Sequence, residues 1–203
     1  MMRAFLSALT VLATLPAAAQ APALPGAPET ARVTAGTYKV EPYHTQVGFA
    51  VDHFGFSIFR GAFTGASGTL TIDPANPTKS QLSVSVPIAS VQTSNPKLNE
   101  ELVSADWFDA AKFPDATFVS TAITVGPNNT ALVDGNLTIH GVTKPERMQV
   151  HFHGAGINPM DKVLTTGFDA RIGFNRSDFG VTKYVPVVSD HVELTIAAAF
   201  EKQ

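Results

Sequence analysis

Tyr43-His44-Thr45-Gln46-Val47-Gly48-Phe49-Ala50-Val51-Asp52-His53 alternates in polarity: the odd positions carry Tyr43, Val47, Phe49 and Val51, the even ones His44, Gln46, Gly48 and Asp52. Successive side chains of an extended chain point to opposite sides, so a period of two specifies a strand with one buried face. The rhythm returns downstream. Gln81 to Val91 sets Leu82, Val84, Val86 and Ile88 on one face, and Ala116–Val125, Ala131–His140, Arg147–His153, Val163–Ile172 and His191–Phe200 repeat it. Gly61, Gly65 and Gly68 punctuate a strand pair or one bent strand ending at Ile72, since glycine permits bulges and sharp coiling. Asp73-Pro74-Ala75-Asn76-Pro77 and Gly126-Pro127-Asn128-Asn129 are turn sequences. About eight short strands with no βαβ rhythm specify an all-β fold, an antiparallel barrel or sandwich.

One segment departs from this period. In Asn95 to Phe113, Asn95 offers an N-cap, Pro96 suits the first helical position, and Leu98, Leu102 and Val103 share a helical face. Ser104 or Asp106 offers a cap for a second short helix through Ala111, stopped at Phe113-Pro114. The expectation is a single helical insertion between strands.

Composition narrows the function classes. The chain has 203 residues, 44% hydrophobic and 15% charged, enough for one domain with a real core. It has no cysteine, which excludes disulfide staples, thiolate metal sites and a cysteine nucleophile. A net charge of −3 supplies no basic field for nucleic acid. Residues 1–19 read as a signal peptide: Arg3 precedes an apolar run from Ala4 to Leu15, then Pro16 and the small residues Ala17-Ala18-Ala19. This predicts export to a bacterial periplasm, with no integral membrane segment after cleavage. Residues 20–36, with Pro22, Pro25, Gly26 and Pro28, read as a flexible linker, and 37–203 as one barrel domain.

The residues carry no catalytic signature. There is no G-x-S-x-G elbow, phosphate loop or dinucleotide fingerprint. His151 and His153 share a strand face, but no H-E-x-x-H or carboxylate set accompanies them, so no metal site is assigned. The apolar side chains are more informative. Phe49, Val51, Phe54, Phe56, Ile58, Phe59 and Phe63 form one dense run, and Trp107, Phe108 and Phe113 add aromatics on the insertion. Counting residues leaves two readings open, a packed core or a greasy cavity.

Four blocks carry a family resemblance. Tyr38 to His53 resembles the opening strand of the YceI-like polyisoprenoid-binding family, with His44, Phe49, Val51 and His53 at the motif positions. Leu102-Val103-Ser104-Ala105-Asp106-Trp107-Phe108-Asp109-Ala110-Ala111-Lys112-Phe113-Pro114 is similar to its helical block, and Gly135-Asn136-Leu137-Thr138-Ile139-His140-Gly141-Val142-Thr143-Lys144-Pro145 to its hairpin. Phe174-Asn175-Arg176-Ser177-Asp178-Phe179-Gly180 is similar to its [FIL]-x-R-x-D-F-G motif. The chain departs from the pattern at Trp107, where phenylalanine is more usual, and at Tyr184-Val185-Pro186, where a glycine-rich loop is common.

The resemblance implies an extended antiparallel eight-stranded, lipocalin-like β-barrel with the helical segment beside its mouth. It also implies a periplasmic binding protein holding an isoprenoid or other long-chain amphiphilic lipid in a hydrophobic tunnel, with no cofactor. Within that expectation, strand parity nominates Phe49, Val51, Val84, Val86, Phe118, Leu137, Ile139, Met148, Val150, Phe168 and Ile172 as tunnel wall. His53, Arg60, Asn175, Arg176 and Asp178 are nominated as head-group contacts, while His44 falls on the opposite face and is expected to be structural. An exported stress-response or interaction module, a hydrolase of amphiphiles, and a homodimer through a barrel edge or mouth stay open.

Overall fold

The computed structural model describes residues 23–203, so the signal-peptide reading of 1–19 lies outside the described residues. The strands are β1 (Gly36–Val40), β2 (Gln46–His53), β3 (Ser57–Phe63), β4 (Ser67–Ile72), β5 (Gln81–Pro87), β6 (Asp115–Val125), β7 (Thr130–Ile139), β8 (Val142–Ile157), β9 (Leu164–Asn175) and β10 (His191–Lys202). They form one antiparallel sheet, ordered β1-β4-β5-β6-β7-β8-β9-β10-β2-β3, and pairing of β1 with β10 closes it. β1 and β2 lie end to end along the same edge of β10, with Tyr38 opposite Lys202 and Ala50 opposite Glu193. β3 and β4 lie end to end in the same way, pairing with β2 and β1 respectively. The ten strands therefore make the eight staves of a closed barrel, the architecture that the family resemblance implied.

Local chemistry explains the interrupted staves. Between β1 and β2, Pro42 has no N–H to offer a ladder. The Glu41 carboxylate accepts the main-chain N–H groups of Tyr43 at 3.0 Å and His44 at 2.8 Å, which fixes a turn there. His44 lies in this turn with its ring Nδ1 2.7 Å from Glu41 Oε2. Between β3 and β4, Gly65 takes φ +68°, a conformation that favours glycine.

Two bulges invert side-chain parity. In β6 the register shifts between Ser120 and Ala122, so Ala116 and Phe118 face inward before it and Ile123 and Val125 after it. In β8 the shift falls between Phe152 and Gly154.

The helical insertion is shorter than expected. α1 (Pro96–Leu102) is capped as the sequence suggested, with Asn95 Oδ1 accepting from Lys97 N–H at 3.1 Å. The second helix does not form. The Ser104 carbonyl accepts from both Trp107 N–H and Asp109 N–H, and Asp109 sits at φ +46°, so residues 103–113 fold as successive turns. These turns seat Leu102 and Trp107 in a small cluster with Val91 and Val181. No helix among the described residues is long and apolar enough to cross a membrane.

The described part of the supposed linker is docked. Ala27 exchanges main-chain hydrogen bonds with Ala155 of β8, donating at 3.1 Å and accepting at 2.9 Å. Asn129 Nδ2 donates to the Pro28 carbonyl at 2.9 Å, and the Tyr38 hydroxyl to the Thr34 carbonyl at 2.8 Å. The chain thus crosses one end of the barrel as a strap from β8 to β1. Gly156 makes this possible, because a Cβ there would collide with the Pro25 carbonyl.

Candidate functional site

The barrel encloses a cavity of about 1190 Å³, above the roughly 300–1,000 Å³ of common small-molecule sites. Side chains from all ten strands line it. On β10 the lining runs from Val192 to Phe200, eight residue steps, which is about 26 Å along the strand at roughly 3.3 Å per residue. The wall is aliphatic and aromatic for nearly all of that length.

The strand-parity nominees all reach this wall. Phe49 and Val51 come from β2, Val84 and Val86 from β5, Phe118 from β6, and Leu137 and Ile139 from β7. Met148 and Val150 come from β8, Phe168 and Ile172 from β9. The sequence reading omitted others that obey the same parity, notably Val192, Leu194 and Ile196 of β10 and Phe174 of β9. Their alternation was legible. Thr30, Ala31 and Val33 of the strap also line the cavity, and no periodicity announces them.

The lumen stays open partly because two aromatic rings lie against the wall. Phe49 packs over Gly61, and Phe118 over Gly135; a Cβ at either glycine would strike the ring. Both glycines sit on inward positions of β3 and β7. A side chain there would fill space that the rings now occupy flat.

The mouth opposite the strap is built differently. Two loops cover it: residues 88–113, containing α1, and residues 176–190. Arg176 opens a 3-10 turn (Arg176–Phe179) immediately after β9 and is buried. Its Nε donates to the Ser189 carbonyl at 2.9 Å, Nη1 to those of Val181 at 2.9 Å and Lys183 at 2.8 Å, and Nη2 to that of Val188 at 2.9 Å. Burial lowers its pKa while Asp190 opposes that shift. The guanidinium also lies 5.5 Å from the centre of the Trp107 ring.

A second polar knot joins the two loops. The Trp107 indole N–H donates to Glu101 Oε1 at 3.0 Å, and Lys183 Nζ reaches Glu101 at 3.2 Å and Asp106 at 3.1 Å. The indole hydrogen bond, followed by that from Lys183, holds the Glu101 carboxyl below the ordinary glutamate range. Asp190 is likewise lowered, first by the Ser177 hydroxyl, which donates to it at 2.6 Å.

The five head-group nominees therefore separate. His53 lines the mouth, its ring centre 4.4 Å from that of Phe54 and 6.3 Å from that of Phe59. Arg176 also reaches the lining, with four of its five N–H groups given to carbonyls that shape the loop. Arg60, Asn175 and Asp178 are exposed and lie off the cavity wall, away from where the sequence reading put them. For Arg60 and Asn175 the cause is outward strand parity. For Asp178 it is the 3-10 turn, which ends the strand face that Arg176 and Asp178 were expected to share.

No group of three or more His, Asp or Glu side chains among the described residues is placed to hold a metal ion. His151 and His153 face outward, and His153 Nδ1 lies 2.9 Å from Asp169 Oδ2.

Comparison with known proteins agrees with this architecture. The YceI-like domain family matches residues 38–200. The UPF0312 protein of Pseudomonas fluorescens (strain SBW25) is 37% identical over 174 residues, covering 85% of this chain and 90% of that protein. Among solved structures, BcnA of Burkholderia cenocepacia superposes with a TM-score of 0.71 at 27% identity, over 79% of this chain and 98% of that one. A polyisoprenoid binding domain from Saccharophagus degradans shares the fold at TM-score 0.58 and 15% identity, over 82% of this chain and 98% of that one. The strap, residues 25–34, precedes the family-matched region.

Proposed function

This chain belongs to the YceI-like domain family, and on that premise we propose that it takes up one long-chain lipid of isoprenoid type, its tail threaded through the barrel. One observation carries the reading: a continuous apolar cavity of about 1190 Å³ along the barrel axis. An eight-stranded barrel is either filled by side chains or holds one small ligand, and this one is not filled. A cavity with such walls offers water few partners, so a flexible hydrocarbon suits it better than solvent. Each methylene moved from water into the wall contributes about 0.8 kcal/mol, and the ordering cost of one chain offsets part of the total. Walls of this kind select for length and shape. They do not read hydrogen bonds along the tail.

The polar groups at the mouth favour holding over transforming. Arg176, Glu101 and Lys183 are engaged with carbonyls or with one another, and none forms a nucleophile–base pair. The leader-like sequence of residues 1–19 supports a periplasmic site of action.

The test is mass spectrometry of an organic extract of protein purified from a membrane-bearing bacterial host. Co-purified polyprenyl or other long-chain lipid is expected. A clean apoprotein that also fails to take up geranylgeraniol would refute the reading, and conversion of the lipid on incubation would replace it with the hydrolase.

A further inference from the structure

We propose that the β2–β3 hairpin tip, with Tyr184 and Val187 beside it, is a docking surface for a phospholipid bilayer, and that docking sets the cavity mouth against the membrane. Five large apolar side chains stand exposed there. Phe56 is 88% exposed, and Phe54, Ile58, Tyr184 and Val187 are each about half exposed. Exposed apolar residues scattered singly are ordinary, but a contiguous group beside a cavity is not. The group is contiguous because Phe54 N–H donates to the Val187 carbonyl at 2.8 Å and His53 bridges to Val188. The turn is also fixed: Asp52 Oδ1 accepts from Gly55 N–H at 2.6 Å, and the His53 carbonyl accepts from Phe56 N–H at 3.0 Å. The aromatic tip is therefore held outward.

The charge pattern selects the partner. From His53 to Phe59 the hairpin carries no acidic side chain, no Lys and no Arg, and the first full charge is Arg60. On β3, Phe59 and Phe63 face the cavity while Ile58 and Arg60 face out. At roughly 3.3 Å per residue, Ile58 stands about 7 Å and Arg60 about 13 Å behind Phe56. Interfacial segments sink their apolar face roughly 5–10 Å into the boundary between head groups and acyl chains. Seated to that depth, the hairpin buries Phe56 and Ile58 and brings Arg60 to the phosphates. Arg60 has no carboxylate partner among the described residues, its one hydrogen bond running to the Ile58 carbonyl at 3.4 Å. Its planar guanidinium matches phosphate geometry.

The surface continues into the cavity, since Phe54, Tyr184 and Val188 belong to the lining. Docking would open a dry path between bilayer and barrel. That purpose rests on the lipid-binding reading above, whereas the docking itself rests only on the hairpin. The competing occupant is a second copy, because among the described residues the outer edge of β3 pairs with no strand and makes only the Ala62–Gln92 bridge.

Flotation of the full chain with phosphatidylcholine vesicles, with and without phosphatidylglycerol, decides between them. The protein should float with the vesicles. Phe56→Asp should lower partition by at least about tenfold, the scale of one buried Phe side chain. Arg60→Gln should lower it a few-fold, more when phosphatidylglycerol is present. Because Phe56 lies off the cavity wall, uptake of geranylgeraniol from ethanol should be unchanged in Phe56→Asp. Trp107, the single tryptophan, lines the mouth and reports that uptake by its fluorescence. Retained uptake without vesicle partition overturns docking and leaves lipid binding intact, whereas partition without uptake does the reverse. A dimer that Phe56→Asp dissociates, in a protein that ignores vesicles, assigns the surface to a second copy and overturns the proposal.

Discussion

The two ends of the barrel are closed by opposite means. At one end a strap crosses the opening, its carbonyls and N–H groups held by Ala155, Asn129 and Tyr38 and its path cleared by the missing side chain at Gly156. At the other, two loops are tied by long charged side chains: Arg176 gathers four carbonyls, and Lys183 bridges Glu101 and Asp106. Backbone-to-backbone closure depends on close approach and tolerates changes of side chain that keep the approach. Closure by one guanidinium depends on a single residue. The mouth lies within the family-matched residues 38–200, and the strap precedes them.

The contrast can be broken most strongly at Arg176. Arg176→Met leaves four carbonyls without their donor, and urea denaturation should show a loss of roughly 3–5 kcal/mol. A loss near 1 kcal/mol would mean that the mouth holds without its clamp. Phe49→Asp places a charge on the cavity wall between the two ends. A folded variant should bind geranylgeraniol on the order of a hundredfold more weakly, about 2.7 kcal/mol, by titration of Trp107 emission. Gly156→Val should displace the strap alone. Proteolysis within residues 25–34 should accelerate, stability should fall by about 1–2 kcal/mol, and Trp107 emission should stay constant. A shift of that emission would show the ends to be coupled.

The smallest effect at the mouth should come from acid. The Glu101 and Asp190 carboxyls lie below their ordinary ranges in the folded protein. Their contribution is therefore fully present above the ordinary carboxylate range and is lost as pH falls through the lowered values. Trp107 emission should shift below about pH 4, while strap proteolysis by an acid-active protease should not accelerate beyond the pH profile of Gly156→Val.

Much of the site was legible because parity is a local property of a strand. Phe49, Leu137, Met148 and Ile172 follow from alternation alone, and β10 would have yielded Val192, Leu194 and Ile196 by the same rule. The failures have specific causes. The β6 bulge inverts parity at Ile123 and Val125, and nothing in Ser120-Thr121-Ala122 marks it. The apolar run from Phe49 to Phe63 looked uniform, yet the hairpin turns Phe56 and Ile58 to solvent and Phe59 and Phe63 to the cavity. Arg176 reads from the sequence as a head-group contact because its partners are carbonyls five to thirteen residues away, and sequence carries no record of where carbonyls point.

The rings of Phe49 and Phe118 over Gly61 and Gly135 give the wall an adjustable thickness. A methyl group at residue 61 would meet the Phe49 ring first, with the Gln92 carbonyl behind it at 2.9 Å. The ring would swing into the lumen and reduce its free volume. Capacity is thus set in part by two residues that present no side chain to a ligand, and evolution can resize the vessel from behind its own lining.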